Sequence, residues 1–550
     1  MNGRVLSFLP FLLCAALYFP VLGQHLLSDD MAVTYALSEW IRHGVLGERL
    51  LAKFWTGLDS PSYYYRPLTF LSFGIDFVLA GVKPFAWHIV NLAAHFFAGA
   101  AVYRIARLLQ PVQRSDAGPV FASALFLLWG TNVEAVAWIS GRYDVFATAL
   151  TLWASALYLR SVTAFDRHAL AALACGILAL CSKESAAVLP GLIGCLAWIR
   201  HGRLPFASRW RAIGADLLPW LVVTAAYFTM RLMIFGSMFQ VYPDANPLQR
   251  IAGGEWLSSM DAARPWIIAA LPQRGTLTLA SALIVALALA GVAALVSDRA
   301  LRRTSVGVIM AIASTLALLL PHLSGLSARG EGGRLFYTTG AWIAIWLALP
   351  LSAAVSGPPL RIHNWMRWYA LIALIFVGAQ AVLLNAALRD WRRAGAQMQQ
   401  LVDALPPLER QLADDRYALV FAPDSIGAVP FARNANGAIV LPPIQQRPLL
   451  KKMLVFLPAD IPAIPGLLGR RLIATLKESG LDEADARMRK AHPTEDPSTL
   501  WPTDFFCWRT DTAELMPVMV GEPWRNPVQW PTVASEALRR AGCQWATGAF

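Results

Sequence analysis

Charge is scarce in this chain: Asp, Glu, Lys and Arg together make up only 15% of its 550 residues, against 56% hydrophobic. Soluble domains usually carry about a quarter charged residues, and their cores have no need of apolar runs long enough to span a bilayer. With a mean hydropathy of +0.47, the chain reads as a polytopic helical membrane protein. Acids are scarcer than bases, 35 against 47. The resulting net charge of +12 does not imply nucleic acid, because the arginines sit in short clusters between apolar runs, as in cytoplasmic loops. Cysteine is scarce too, with six residues. Cys14, Cys175, Cys181 and Cys195 fall in apolar runs, where they act as small apolar side chains. Cys507 and Cys543 lie in a polar C-terminal region and are the pair available for a disulfide, which would be worth about 3 kcal/mol in the loop-entropy picture. Internal repeats are absent, a tetratricopeptide array included.

The apolar runs are Val5 to Gly23, Phe85 to Tyr103, Val120 to Trp138, Val145 to Leu159, Ala169 to Cys181, Ala186 to Ile199, Ile213 to Phe235, Leu277 to Val296, Val306 to Leu320, Leu335 to Val355 and Tyr369 to Leu388, about eleven spans. The first resembles a signal peptide, but it is long for one and Val21-Leu22-Gly23 is a poor cleavage site, so it is read as a span. Pro67 to Val82 is short, holds Asp76 and is bounded by prolines. Reading it as a juxtamembrane element puts the basic clusters at 104 to 114, 160 to 167, 200 to 211, 299 to 303 and 361 to 367 all in the cytoplasm. The outer side then receives 24 to 84, 139 to 144, Ser182 to Ser185, 236 to 276, 321 to 334 and everything after Leu388. The expected fold is an all-α polytopic module over 1 to 388, followed by a small α/β domain over 389 to 550. In that domain an amphipathic stretch, Trp391 to Leu412, precedes strand-like runs at Tyr417 to Ala422 and Met453 to Leu457.

The unusual polar residues gather on that outer side. Ser28-Asp29-Asp30 follows the first span, and carboxylates at a membrane exit mark a functional site. YYYRPLTFLSF runs from Tyr63, WHIVNLAAH from Trp87 to His95, VEAVAWISGRYDVF from Val133 to Phe146, SKESAAVLP from Ser182 to Pro190, and GGRLFYTTG from Gly332 to Gly340. In this order the motifs resemble the membrane O-mannosyltransferases that carry tetratricopeptide tails and, more distantly, protein mannosyltransferases and lipid A aminoarabinose transferases. All belong to the C-type glycosyltransferase (GT-C) superfamily. The resemblance is good over about residues 20 to 200 and looser through 332 to 340.

It implies an enzyme that moves a sugar from a polyprenyl-phosphate-linked donor to a protein, glycan or lipid acceptor on the outer face of a membrane, expected here to be a bacterial inner membrane with a periplasmic C-terminal domain. Asp29 matches the general base and Asp30 its partner, although Asp30 also suits a helix N-cap. A leaving phosphate calls for fixed cations. Arg142, Lys183 and Arg334 are the candidates, with Tyr337 three residues beyond Arg334 and so on the same helix face; interfacial snorkelling is the alternative for each. Asp144 could hold Arg142, or Glu184 could hold Lys183. Arg66, His88 and Glu134 complete the substrate-side candidates. His88, Asn91 and His95 share a helix face, but the histidines are about 10 Å apart along it, so polar glue between spans explains them better than a metal site. Glu331-Gly332-Gly333-Arg334 replaces a more compact Glu-Arg pair of the family, which leaves Glu331 unassigned. Some relatives use a divalent metal and others do not, so a metal stays open and no other cofactor is expected. Partners are the lipid-linked donor, an unidentified acceptor and membrane lipid. A flippase of lipid-linked sugars should show inverted repeats with interrupted helices, which the sequence lacks. A non-catalytic scaffold acting through the C-terminal domain is the third reading, and the FARNANGAIVLPP stretch (431 to 443) carries no catalytic motif.

Overall fold

A computed structural model describes residues 7–57, 63–110, 116–163, 166–239, 287–288, 291–292, 299–319, 332–353, 362–435, 437–464, 503–520 and 529–543. A helix runs within each expected span except Leu277 to Val296, most of which lies outside the described residues. By length and composition, three of the described helices are long and apolar enough to cross a membrane: Pro84–Leu109, Phe206–Phe235 and Arg367–Gln411. The count of eleven spans is therefore not reached on that criterion, but the chain is a mostly helical, multi-pass membrane protein with a small sheet near its C-terminus.

Two compact units divide the chain. The first comprises Met1–Leu22, Gly47–Val78 and Phe85–Arg389, and the second Gly23–Leu46, Leu79–Pro84 and Asp390–Phe550. In the first unit, Val120 to Trp138 is not one straight span. Ala117–Leu127 is followed by Gly130–Ala137, bent by 46°. Breaking a helix in a bilayer frees backbone groups that water cannot reach, so neighbouring side chains must take them up. Gln380 Oε1 accepts the Gly130 N–H at 3.1 Å, and Asn132 Nδ2 donates to the Phe126 carbonyl at 2.7 Å. A second break follows at Trp138, and Asn91 Nδ2 donates there to the carbonyls of Trp138 at 2.8 Å and Ile139 at 3.2 Å. The turn closes tightly enough that a Cβ on Gly141 would lie 2.3 Å from the Ala135 carbonyl oxygen. The broken segment ends by launching the helix Arg142–Arg160, which packs on Arg167–Leu180.

In the second unit, a four-stranded sheet is ordered β4-β1-β5-β6, from β1 (Tyr417–Phe421), β4 (Met453–Phe456), β5 (Thr503–Arg509) and β6 (Glu514–Val518). A separate hairpin joins β2 (Ser425–Ile426) to β3 (Val429–Pro430). β1 is parallel to both β4 and β5, with Leu419 opposite Leu454 and Phe505. Every residue of β1 is buried, as a central parallel strand requires. The amphipathic stretch from Trp391 is the last part of a single helix, Ile362–Gln411, and is tied to the sheet by Gln397, which donates to the Thr510 carbonyl and accepts from Trp508 Nε1. A disulfide joins Cys507 on β5 to Cys543, just past the helix Trp530–Arg540. Reduction is expected to lower the stability of this unit by about 3 kcal/mol. Thermal melts of the full chain with and without reductant, run beside a Cys507→Ser/Cys543→Ser variant, would show it. Equal melting under all three conditions would show that the disulfide does not stabilise the unit.

Candidate active site

In the second unit, helix Asp29–Arg42 carries Asp29 and Asp30 in its first turn and Arg42 in its last, the arrangement the helix dipole favours. Ser28, the N-cap, has φ 53° and ψ −129°, a backbone conformation that costs free energy for any residue but glycine. It is fixed by the 431–434 loop: the Ser28 N–H donates to the Phe431 carbonyl and its hydroxyl to the Arg433 carbonyl, both at 2.8 Å. Asp30 is buried and accepts the Leu27 N–H at 3.2 Å, so it holds the turn. Asp29 is half-buried, and its Oδ1 accepts a hydrogen bond from Asn434 Nδ2 at 2.7 Å.

In the first unit, four cations are each set against a carboxylate. Arg66 lies on Glu184 through two bonds of 3.1 and 2.5 Å and stacks on the Tyr64 and Tyr143 rings. Lys183 Nζ donates to Asp144 at 2.6 Å. Arg142 Nη1 is 2.5 Å from Asp76, with further bonds to Asn91, Ser72 and the Trp87 carbonyl. Arg334 Nη1 donates to Glu134 Oε1 at 2.8 Å, with its guanidinium over the Trp138 ring. The other Glu134 oxygen accepts the N–H groups of Gly332 and Arg334. Gly332 has φ +99°, which explains a glycine two residues before the arginine: only glycine takes that conformation without strain while aiming its N–H at a carboxylate. Glu331 lies outside the described residues.

The pairing suggested for Arg142 and Lys183 is thus corrected. Asp144 holds Lys183, and Asp76 holds Arg142. Residues two apart on a helix do not face each other, which separates Arg142 from Asp144. Lys183 is extended, with φ −161° and ψ 146°, so successive side chains point opposite ways and Glu184 turns to Arg66 instead. Burial opposes charge on Glu184, but Arg66 and then Lys183 outweigh it and hold the carboxyl well below its ordinary range. Burial also pulls the Lys183 ammonium below its usual range, with Asp144 working the other way.

Tyr337 and Arg334 have separate partners. Tyr337 is fully buried and bonds His95 Nδ1 at 2.6 Å, while His95 Nε2 lies 3.1 Å from the Leu127 carbonyl. The carbonyl makes Nε2 the donor, so Nδ1 accepts from the tyrosine hydroxyl. His88 is buried on the same helix. Among the described residues no three His, Cys, Asp or Glu side chains gather as a metal-binding group. The four cations differ in access: the side chains are 0% exposed for Arg142, 11% for Lys183, 12% for Arg66 and 30% for Arg334. Asp76 and Asn434 are not among the site candidates that the sequence offers. Nothing local marks Asp76 as Arg142's partner, and the only trace of Asn434 was the unexplained FARNANG stretch.

No family model matches the chain. It is 32% identical over 161 residues to Protein O-mannosyl-transferase Tmtc1 of Drosophila melanogaster, covering 29% of this chain and 18% of that protein. Tmtc2 of the same fly is 35% identical over 153 residues, 27% of this chain and 16% of that one. Over those stretches the chain resembles these O-mannosyl-transferases. The matched stretch spans less than a fifth of each of these relatives. Among solved structures, ArnT from Cupriavidus metallidurans in the apo state is 12% identical with a TM-score of 0.47, covering 82% of this chain and 86% of that one. The archaeal oligosaccharyltransferase AglB from Archaeoglobus fulgidus, in complex with an inhibitory peptide and a dolichol-phosphate, is 12% identical with a TM-score of 0.45, covering 76% and 62%.

Proposed function

We propose that the chain is a glycosyltransferase that moves a sugar from a polyprenyl-phosphate-linked donor to an acceptor on the outer face of a bacterial inner membrane. The observation that carries the reading is the Asp29 carboxylate, held on a strained, externally braced turn at a helix N-terminus, in a chain that resembles sugar transferases. In the reaction, an acceptor hydroxyl or amine attacks the anomeric carbon and passes its proton to Asp29. The bond from the anomeric carbon to the phosphate oxygen breaks, and the carrier phosphate leaves with the electron pair. Arg334 is assigned to that phosphate because it is the most exposed of the four cations, and its planar fork suits a phosphate better than a point charge does. Arg66–Glu184, Lys183–Asp144 and Arg142–Asp76 brace the helices and loops of the first unit.

Comparative mass spectrometry of surface glycans and glycoproteins from cells with and without the chain tests the function. A product lost on deletion and restored by the wild-type chain is expected, and identical profiles would refute the proposal. For Arg334, a titration of the polyprenyl-phosphate sugar at fixed acceptor should show weaker donor use in Arg334→Lys and weaker still in Arg334→Ala. Unchanged donor dependence in Arg334→Ala would end the phosphate assignment. Topology is checked by cysteine-accessibility labelling, expected to find the 201 to 211 loop in the cytoplasm and the C-terminal unit outside. The disulfide supports that side, since such bonds persist in oxidising compartments. Labelling of the C-terminal unit only from the cytoplasm would overturn the arrangement.

A further inference from the structure

We infer that Asn434 is a positioning residue for the proposed base: the 431–434 loop exists in its present form to hold the Asp29 carboxylate in one orientation. The inference rests on the reading of Asp29 as general base. Among the described residues three non-glycine residues have positive φ, namely Ser28, Asn434 and Ala513. Two of the three flank or make the Asp29–Asn434 bond, Ser28 at φ 53° and Asn434 at φ 57°. Such conformations persist only where surrounding bonds over-determine them, and they concentrate at functional sites. Here the bonds are explicit. The Ser28 N–H and hydroxyl are tied to the carbonyls of Phe431 and Arg433, and the Phe431 N–H is tied back to the Asp424 carbonyl at 2.9 Å. The Arg433 Nε donates to the Asp424 carboxylate, also at 2.9 Å. Through this lattice the Asn434 amide arrives 2.7 Å from Asp29 Oδ1.

Stability alone does not account for the arrangement. Asn434 is exposed, and an exposed polar bond adds little to folding, whereas Ser28 at φ 53° and ψ −129° costs free energy. What the bond does supply is direction. A carboxylate at a helix start swings about its χ torsions, and an amide bonded to one oxygen limits that swing. A base held in the reactive geometry reacts faster at equal substrate affinity. The loop also gives the FARNANG stretch the role that its sequence did not reveal.

The substitutions must respect the backbone. Asn434→Gly removes the amide and is at ease at positive φ. Asn434→Asp keeps the shape and tolerates the same φ, but sets a carboxylate against Asp29 in place of a donor. The full chain is assayed in detergent with a polyprenyl-phosphate hexose that the wild type turns over, a peptide pool as acceptor, and release of the polyprenyl phosphate as the readout. Asn434→Gly is expected to lower kcat about tenfold with donor KM within twofold of wild type, and Asn434→Asp about a hundredfold, on the scale of a base slightly misplaced. A residue serving only structure predicts lower yield or melting temperature in both variants, with kcat per folded molecule unchanged. Wild-type kcat in Asn434→Gly, or Asn434→Asp at least as active as Asn434→Gly, overturns the inference. Should Asn434→Gly not fold, unchanged kcat in Asn434→Asp overturns it equally. Asp29→Asn run in parallel separates the two failures. If it is inactive while the Asn434 variants are normal, the base stands and the positioning role falls. If it is active, the base assignment itself falls and the inference with it.

Discussion

Asp29→Asn is expected to cut sugar transfer by at least about 10²-fold, and to background in cells, with the protein still recovered from membranes at the normal level. A positioned base contributes about 10²–10⁴ in rate, and an amide cannot take the acceptor's proton. The substitution should spare the fold. The side-chain carbonyl of an asparagine can still accept from Asn434, where Oδ1 of the carboxylate does so now at 2.7 Å, and Asp29 is only half-buried. Asp30→Asn is the informative contrast. Asp30 is 2% exposed and accepts the Leu27 N–H, so its loss should show first as lower yield or melting temperature, with less effect on turnover per folded molecule. Turnover per folded molecule, measured for both variants after size-exclusion chromatography, separates the roles. Near-normal transfer by Asp29→Asn would remove it as the base.

The helices were legible because their signal is local. Apolar runs at Phe85 to Tyr103 or Ile213 to Phe235 announce themselves by composition, and the cores of β1 and β4 do so by short runs such as Tyr-Ala-Leu-Val-Phe. Neither β5 nor β6 was visible. Thr503 to Arg509 mixes buried and half-buried positions, and Glu514 to Val518 carries a proline and a glutamate on an edge where pairing is on one side only. The break inside Val120 to Trp138 was hidden for a different reason: apolar composition continues through it, and what permits it is Gln380, 250 residues away. The motifs hold seven of the eight charges in the four pairs, Asp76 being the exception, but do not show how they pair. Pairing depends on helix phase and on strand-like backbone at Lys183, and those are properties of the folded chain. Asn434 lies 405 residues from Asp29, and no short-range pattern connects them.

Arg142→Met is expected to be the most damaging of the substitutions in the first unit, destabilising it by about 3–5 kcal/mol, as breaking one side of a buried ion pair does. The Arg142 side chain is 0% exposed and divides its bonds among Asp76, Asn91, Ser72 and the Trp87 carbonyl. Removing it strands the Asp76 carboxylate, 9% exposed, and takes from Asn91 Oδ1 the guanidinium donor that it accepts at 2.7 Å. Asp76→Asn should cost less, because the asparagine still offers a carbonyl oxygen to the guanidinium. The decisive construction is Arg142→Met/Asp76→Leu, which removes both charges: it should regain much of the loss, since replacing a buried pair by apolar groups is often near neutral. Melting in detergent of the wild type, the two single variants and the double variant measures the coupling. Additive losses in the double variant, or wild-type melting in Arg142→Met, would show that Arg142 is not a brace.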